Sequence, residues 1–217
     1  MNLTCKNMDC IIISGYLTDL SDNIIPFIEN NDVFVHTWSD RDNKRWINKL
    51  NRYRNYTNNL TINVEEPKYR TKLYSYFYST YKAVNLIPNI DKYDKVIKFK
   101  PNLIEDRIKY KGDLSRYFHK ANIATRPLLI NYSPKDCIYG TVYYKNIDER
   151  LFSGYPLVYK KLFHILDYEV KMKNLHQELI LKYGKQYEGS IFWTEWCNLN
   201  NVPIIVDTDL KITNNKM

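Results

Sequence analysis

Short runs of apolar residues along the chain predict buried β-strands. The clearest is the β-branched run at residues 10–13, which ends at Ser14 and Gly15. Residues 60–64 instead alternate apolar and polar side chains with a period of two, as a half-buried strand does. The strands predicted in this way cover residues 10–13, 32–36, 60–64, 95–99, 127–131, 139–144 and 202–206.

Between these runs, apolar residues recur at the three- and four-residue spacing of a helix. The strongest pattern covers residues 70–87 and ends at Pro88. A second stripe on this helix, which contains Tyr74, Tyr78 and Tyr81, is expected to flank the core. The predicted helices cover residues 17–30, 40–53, 70–87 and 190–200, and Pro156 opens one more. Strands that alternate with helices predict an α/β fold with a central, mainly parallel sheet flanked by helices.

The composition excludes global disorder, and no segment predicts a membrane span. Hydrophobic residues make up 44% of the 217 residues and charged residues 26%, which is typical of globular domains. The N-terminus lacks the apolar core of a signal peptide, and no apolar stretch approaches the ~18 residues of a spanning helix. The four cysteines form no CxxC pair, so reduced intracellular thiols are expected. We expect a cytoplasmic protein in which residues 1–212 form one domain and residues 213–217 a frayed tail.

The net charge of +8 indicates an anionic partner, which is a nucleic acid, a membrane surface or a phosphorylated small molecule. Basic residues are mostly separated by acidic ones, and no run of five or more like charges occurs. This pattern argues against a nucleic-acid-binding tail. The 20 tyrosines weigh little, because abundant Asn, Lys, Ile and Tyr together are also typical of an AT-rich genome.

Open parallel sheets bind ligands at the carboxyl ends of their strands. Ser14 and Gly15 are expected to offer small side chains and free amides there, just before a helix. No GxGxxG or GxxxxGK[ST] pattern occurs, which argues against a dinucleotide or P-loop site. The residues that the rule selects are Ser14, Gly15, Thr37, Trp38 and residues 98–102.

Lys98 and Lys100 alternate with Phe99, so both are expected on the face of the strand opposite Phe99. Two like charges on one face of a buried strand repel each other unless an anion lies between them. The pair therefore predicts an anion site, and the alternative that both lysines lie at an exposed sheet edge stays open.

Four motifs occur in order along the chain: DVFVHTW at residues 32–38, FYSTYKA at 77–83, YDKVIKFKPNL at 93–103 and IDERLFSG at 147–154. With these motifs the chain resembles, over roughly residues 9–200, a group of GT-A glycosyltransferase-like proteins. The group occurs in bacterial surface-polysaccharide loci (the WavE-like type) and in large DNA viruses, including chlorella viruses.

The resemblance implies a GT-A, Rossmann-like domain that binds a nucleotide-diphosphate sugar, usually with Mn²⁺ or Mg²⁺. Such an enzyme transfers the sugar to the hydroxyl of a glycan or glycoprotein acceptor. Tyr78 of the second motif is included among the expected donor contacts. No nucleic acid partner is expected, and a viral protein of this kind would act in the host cytoplasm.

The resemblance places a metal ligand at Asn102, but this sequence departs from the pattern there. The group's R-x-R-x-D block reads KFKPN here, and a neutral amide is a poorer ligand for a hard cation than a carboxylate. Two alternatives stay open. Lys98 and Lys100 neutralise the leaving diphosphate directly, or Asp207 and Asp209, a DxD directly after a predicted strand, supply the carboxylates.

Acidic residues for the chemistry are expected in the fourth motif. Asp148 is the first candidate for the acidic residue near the anomeric carbon, and Glu149 is the second. Neither an inverting nor a retaining route is excluded. Glu195, beside Trp193, is a candidate for holding acceptor hydroxyls, with burial of the tryptophan in the core as the alternative. His36 ends a strand near the expected site.

Three hypotheses follow from the sequence. The first is a glycosyltransferase that uses a nucleotide sugar. The second is a GT-A-like domain that has lost catalysis and only binds a nucleotide or glycan, which the amide at Asn102 motivates. The third is a basic nucleic-acid-binding protein, which requires clustered positive charge.

Overall fold

The computed structural model describes residues 9–17, 25–40, 43–67, 72–99, 138–143, 146–185, 187 and 189–206. A mixed β-sheet forms the centre of this part of the chain. Within the described residues the strands are β1 (Asp9–Ser14), β2 (Asp32–Trp38), β3 (Asn59–Glu65), β4 (Lys95–Phe99), β5 (Ile138–Tyr143), β6 (Asn146–Gly154) and β7 (Ile204–Val206).

The strands are arranged in the order β3-β2-β1-β4-β6-β5-β7. The pairs among β1, β2, β3 and β4 are parallel, whereas β6 is antiparallel to both of its neighbours and β7 is parallel to β5. Because β6 is antiparallel to both β4 and β5, strands β5 and β7 run in the same direction as β1–β4. The carboxyl ends of these six strands therefore lie at one edge of the sheet, which we call the carboxyl edge. The predicted α/β class with a mainly parallel sheet is confirmed.

Helices cover the sheet. Within the described residues they are α1 (Ile25–Ile28), α2 (Lys44–Arg52), α3 (Lys72–Asn85), α4 (Pro156–Phe163), α5 (Tyr168–Tyr183) and α6 (Gly189–Leu199), with short 3₁₀ helices at Tyr53–Asn55 and Ile90–Lys92. None of the helices in these ranges is both long and apolar enough to cross a membrane.

Two apolar clusters form the core, one on each face of the sheet. Side chains alternate along β1, so Ile11 and Ile13 pack with Leu50 of α2 on one face. Ile12 packs on the other face with Phe77 of α3 and with Trp196 of α6. Burial of apolar area on both faces explains why β1 is a continuous apolar run.

Tyr74 and Tyr78 of α3 belong to the core, contrary to the prediction that they flank it, whereas Tyr81 is only partly buried and lies beside the core. Tyr74 and Tyr78 are both buried. The reason is that α3 contacts β1 and β2 on one side and α4 on the other. Tyr81 stacks on Tyr168 at the start of α5, with 4.0 Å between ring centroids.

Several boundaries differ from the prediction. A helix was expected over residues 17–30. Leu17 lies outside any helix, and the single turn α1 is the helical part of the described residues in this range. Residues 18–24 lie outside the described residues. The helix expected over residues 40–53 begins only at Lys44 and ends in a 3₁₀ turn. The strand expected at residues 127–131 also lies outside the described part of the chain.

Helix α5 was not predicted from the sequence. Met172, Leu175 and Leu179 give it a buried stripe at helical spacing. Val170 and Leu181, however, are 57% and 87% exposed, so apolar residues lie on both sides of this helix. Apolar residues distributed around the axis weaken the periodicity that identifies a helix.

Helix α5 is joined to the segment before α6 by a buried polar pair. Nδ1 of His176 and the hydroxyl of Tyr187 form a short hydrogen bond, and the ring of Tyr74 lies 5.3 Å from that of His176. Burial lowers the pKa of His176 below its ordinary value. The neutral imidazole is therefore the form that the folded protein favours.

The lowered pKa of His176 predicts that the folded protein loses stability in mild acid. The unfolded chain protonates His176 near its ordinary pKa of about 6.5, while the folded protein resists the proton. The free energy of unfolding should fall as the pH drops below that value, by at most about 1.4 kcal/mol per pH unit. Urea unfolding of the wild type and of His176→Gln, compared from neutral to mildly acidic pH, measures the effect. His164, whose pKa burial also lowers, is retained in both proteins. Parallel pH profiles for the two proteins would contradict the prediction.

Candidate functional site at the carboxyl edge

The carboxyl edge is lined by buried polar side chains where β1 and β2 meet α3. Ser14, His36, Thr37, Ser79 and Thr80 are all fully buried there. Buried polar groups of this kind are stable only when they hydrogen-bond to one another or to a ligand. The partners of each group therefore show which ones are already occupied.

Ser79 of α3 ties the two strand ends together. Its Oγ accepts the N–H of Gly15 at 2.7 Å and donates to the carbonyl of His36 at 2.9 Å. The neighbouring Thr80 hydroxyl bonds to Ser14 Oγ at 2.8 Å. The N–H of Gly15 also lies 3.2 Å from the His36 carbonyl. This amide, which we expected to be free, is therefore already hydrogen-bonded within the protein.

The imidazole of His36 links this network to a charged pair. Its Nδ1 lies 2.8 Å from Ser79 Oγ. Since the single hydroxyl proton of Ser79 goes to a carbonyl, Nδ1 is the donor in that contact. Nε2 of His36 lies 3.7 Å from Oε1 of Glu65, at the end of β3, which is beyond hydrogen-bond distance. His36 is consequently oriented by the hydroxyl of Ser79, with the carboxylate of Glu65 nearby.

Glu65 and Lys82 form an ion pair at the rim of this site. Lys82 Nζ lies 2.7 Å from Glu65 Oε1, and both side chains are partly exposed. The hydrogen bond to Glu65 raises the pKa of Lys82, so its ammonium stays charged. The same ammonium lies 5.7 Å from the ring centroid of Tyr78. The rim therefore holds a fixed ion pair whose ammonium lies beside an aromatic ring.

Trp38 ends β2 and carries an unsatisfied polar group. Its ring is fully buried and lies nearly parallel to that of Tyr78, with 6.2 Å between centroids. No hydrogen-bond partner for its Nε1 occurs in the described part of the chain. A buried N–H without a partner costs about 1–3 kcal/mol, so this donor favours any oxygen that can reach it. It is the one feature of Trp38 that suits a ligand contact.

Asn43 holds the carboxyl ends of β1 and β2 in place, although the sequence analysis did not single it out. Its Oδ1 accepts the N–H of Leu17 at 2.8 Å, and its Nδ2 donates to the carbonyl of Trp38 at 2.7 Å and to the hydroxyl of Thr37. The residue precedes α2, where an asparagine usually caps the helix, but its side chain makes no capping bond. The position alone therefore suggested a different role.

Lys98 lies on β4 in the middle of the core and is fully buried. Its Nζ lies 4.3 Å from the ring centroid of Tyr76, a cation–π contact. The residue pairs with Ile12 of β1 and with Phe152 of β6. Tyr76 also packs closely against Gly15, which connects the lysine to the end of β1. The proposed partner of this charge, Lys100, lies outside the described residues.

The two candidate catalytic acids are placed by the backbone of β6. Leu151 pairs with Phe99, the last residue of β4, and β6 is antiparallel to β4. Asp148 and Glu149 precede Leu151, so their backbone continues past the end of β4 at the carboxyl edge. This is the edge at which the sequence predicted the site.

The candidate metal ligands Asn102, Asp207 and Asp209 lie outside the described residues. The strands that lead to them, however, end at the same edge: β4 ends at Phe99 and β7 at Val206. Two strands, β6 and β5, separate β4 from β7. These two strand ends therefore stand about 14 Å apart at the usual strand spacing.

The candidate acceptor residues lie on α6. Trp193 is 1% exposed, and its ring packs against Phe77 and Phe163 in the core. Glu195 is only partly buried and its Oε2 accepts a hydrogen bond from Asn198 at 3.3 Å. The acceptor role of these residues stays a prediction.

The described residues at the edge do not suit a divalent cation by themselves. Within them, no group of three or more His, Cys, Asp or Glu side chains comes together. The carboxylate of Glu65 already holds the ammonium of Lys82. A hard cation prefers several oxygen ligands at once, which this pair does not offer.

No protein-family model matches the sequence, and no curated protein matches it. Solved structures do show similarity. The chain is similar to the glycosyltransferase GlyE of Streptococcus pneumoniae TIGR4, with a TM-score of 0.50 and 10% identity over 94% of this chain. It is also similar to mouse xyloside xylosyltransferase 1 in the apo form, with a TM-score of 0.46, 10% identity, and coverage of 93% of this chain and 85% of that one.

The similarity to GlyE shows the fold, which is α/β and GT-A-like, as the sequence predicted. The chain spans 46% of the length of GlyE. The more specific resemblance to the WavE-like and viral group stays a prediction.

Proposed function

We propose that this chain is a glycosyltransferase that takes a sugar from a nucleotide-diphosphate sugar and passes it to a hydroxyl of a glycan acceptor. The observation that carries the proposal is the carboxyl edge itself. There, at the carboxyl end of β2, the buried N–H of Trp38 has no hydrogen-bond partner among the described residues, and the ammonium of Lys82 is held by Glu65 beside Tyr78. The glycosyltransferase GlyE, which has a similar fold, supports the reaction class.

The proposed chemistry breaks the bond between the sugar's anomeric carbon and the diphosphate. The nucleoside diphosphate leaves with the electron pair, and the acceptor oxygen bonds to the anomeric carbon. Asp148 is the proposed base that takes the acceptor's proton in an inverting route, with Glu149 as the second candidate. The positive charges of Lys98, Lys100 and Lys82 are proposed to stabilise the leaving diphosphate.

A divalent cation, Mn²⁺ or Mg²⁺, belongs to the proposal through Asn102, Asp207 and Asp209. When bound, such a cation would neutralise charge on the diphosphate. The direct test is to replace the amide by a carboxylate: Asn102→Asp should increase Mn²⁺ affinity if this residue is a ligand. Unchanged affinity would transfer the proposed role to Asp207 and Asp209.

Release of nucleoside diphosphate from UDP-sugars and GDP-sugars, with and without a glycan acceptor, tests the reaction. Acceptor-dependent release is the expected result. Nucleotide-sugar binding without release of nucleoside diphosphate would contradict the proposed enzymatic activity. It would favour a binding domain that has lost catalysis, for which Asn102 is the supporting observation.

The indole of Trp38 allows ligand binding to be separated from folding. Trp38→Phe keeps an aromatic ring but removes the N–H, which makes no hydrogen bond within the described structure. The smaller ring leaves a cavity in the core, and relief of the unsatisfied N–H offsets part of its cost, so the midpoint of thermal unfolding should fall only modestly. Affinity for the nucleotide sugar should fall about tenfold, the effect of one lost hydrogen bond of ~1.4 kcal/mol. Calorimetric titration and thermal unfolding measure the two effects.

The matched control is Trp46→Phe on α2, which removes an indole N–H on the face of the sheet opposite Trp38. We expect its affinity for the nucleotide sugar to equal that of the wild type. Equal affinities for Trp38→Phe and the wild type would show that the Trp38 N–H does not contact the donor.

A further inference from the structure

Helix α2 carries a concentrated positive charge on its outer face. Residues 43–59 contain five basic residues and no acidic one, while the whole chain has a net charge of +8. Helical spacing places the basic residues of α2 on one face, opposite the buried Leu50. The basic residues of α2, which we call the basic face, are Lys44, Arg45, Lys49 and Arg52. Arg54 follows the helix and donates to the carbonyl of Leu60 at 2.8 Å.

The basic face is turned outward because the apolar side of α2 is already used. Leu50 is fully buried and Trp46 and Ile47 pack against the same core cluster. Lys44, Arg45 and Arg52 are exposed, and in the described part of the chain none of the three pairs with a carboxylate. Within the described residues, the charge of these three side chains is therefore not used in an ion pair.

The arrangement of the charges narrows the class of partner. The guanidinium of Arg45 lies 4.6 Å from the ring centroid of Trp46, and the ammonium of Lys49 lies 5.8 Å from it. Trp46 thus has two cations near its ring and is partly buried against the core, so it does not offer a fully open platform on which a nucleic-acid base could stack. What remains is a cationic face about 14 Å long, the length of a nine-residue helix. Anionic lipid headgroups present their charge in a plane, which suits such a face.

We propose that α2 docks the protein on an anionic lipid surface through the basic face. Clusters of four to eight Lys or Arg on an amphipathic helix are typical of binding to acidic phospholipids. The contact is electrostatic, because the apolar side of the helix is packed in the core and cannot insert. Docking would place the start of α2, where Asn43 holds the carboxyl ends of β1 and β2, close to the lipid surface.

The test is sedimentation of the 217-residue chain with vesicles of phosphatidylcholine and phosphatidylserine, compared with phosphatidylcholine alone. Binding should require phosphatidylserine and should weaken at high salt. The double variant Lys44→Gln with Arg52→Gln should bind about 25-fold more weakly, at about fivefold per charge. Neither residue belongs to the proposed donor site, so nucleotide-sugar affinity should not change.

The matched control removes the same number of positive charges from the other side of the sheet. Lys171→Gln with Lys173→Gln changes two exposed residues of α5, whose buried side chains belong to the opposite core cluster. This variant should bind vesicles within about twofold of the wild type. Equal losses in the two double variants, or no dependence on phosphatidylserine, would overturn the proposal. So would tighter binding to duplex DNA or RNA than to vesicles, lost in the α2 variant.

Discussion

Replacing Gly15 by alanine is expected to lower the free energy of unfolding by about 3 kcal/mol, the sum of backbone strain and overpacking. Gly15 has φ of +96°, a conformation that residues with a side chain rarely adopt. A Cβ at this position would also lie 2.9 Å from Cδ2 of Tyr76. That ring cannot move freely, because Tyr76 is buried and lies against the ammonium of Lys98. Thermal or urea unfolding measures the loss.

Gly184 provides the matched control for the backbone contribution. Its φ is +89°, but nothing lies within 4 Å of the position that a Cβ would occupy. Gly184→Ala should therefore cost only the strain, about 1–2 kcal/mol. The difference between the two variants measures the contact with Tyr76. Equal losses would show that the ring yields and that Gly15 is required for its backbone alone.

Removing the side chain of Asn43 should have an effect of similar size. Asn43→Ala leaves the N–H of Leu17 and the carbonyl of Trp38 without their partner inside the protein, since Asn43 and Leu17 are both buried. Each unsatisfied buried group costs about 1–3 kcal/mol, so a loss of about 3 kcal/mol is expected. Because these bonds hold the ends of β1 and β2, nucleotide-sugar affinity should fall as well. Urea unfolding and calorimetry measure the two losses.

Asn51 on the same helix is the control. Its side chain is exposed, donates to the carbonyl of Ile47 within α2 and accepts a long, exposed hydrogen bond from Nε of Arg54. Asn51→Ala should change stability by no more than about 0.5 kcal/mol. If Asn43→Ala were as mild as this control, the strand ends would not depend on Asn43, and that explanation of the site's rigidity would be wrong.

The sequence predicted the central parallel strands best, and it missed the antiparallel strand β6 as well as helix α5. Residues 10–13 are a continuous apolar run, and residues 32–36 and 95–99 each contain three apolar residues, because both faces of the central strands are covered; this pattern is strong over a short length. Helix α5 lacks an equally clear pattern, because Val170 and Leu181 remain exposed among its polar residues. The periodicity of a helix is diluted in this way, whereas a fully buried strand keeps its run.

The location of the candidate site could be predicted, but its internal connections could not. The rule for parallel sheets selected Ser14, Thr37 and Trp38 because it depends only on strand direction. The roles of Ser79 and Asn43 depend on long-range contacts: Ser79 reaches the ends of two strands, and Asn43 turns away from the helix that it precedes. One signal was present, since FYSTYKA places Ser79, Thr80 and Lys82 together inside an apolar helix.

The central claim is that the carboxyl edge binds a nucleotide-diphosphate sugar. Calorimetric titration of the wild-type chain with UDP-sugars and GDP-sugars, with and without Mn²⁺, tests it most directly. We predict saturable binding of at least one donor, weakened about tenfold in Trp38→Phe and unchanged in Trp46→Phe. Absence of binding by every nucleotide sugar, with and without the metal, would contradict the account.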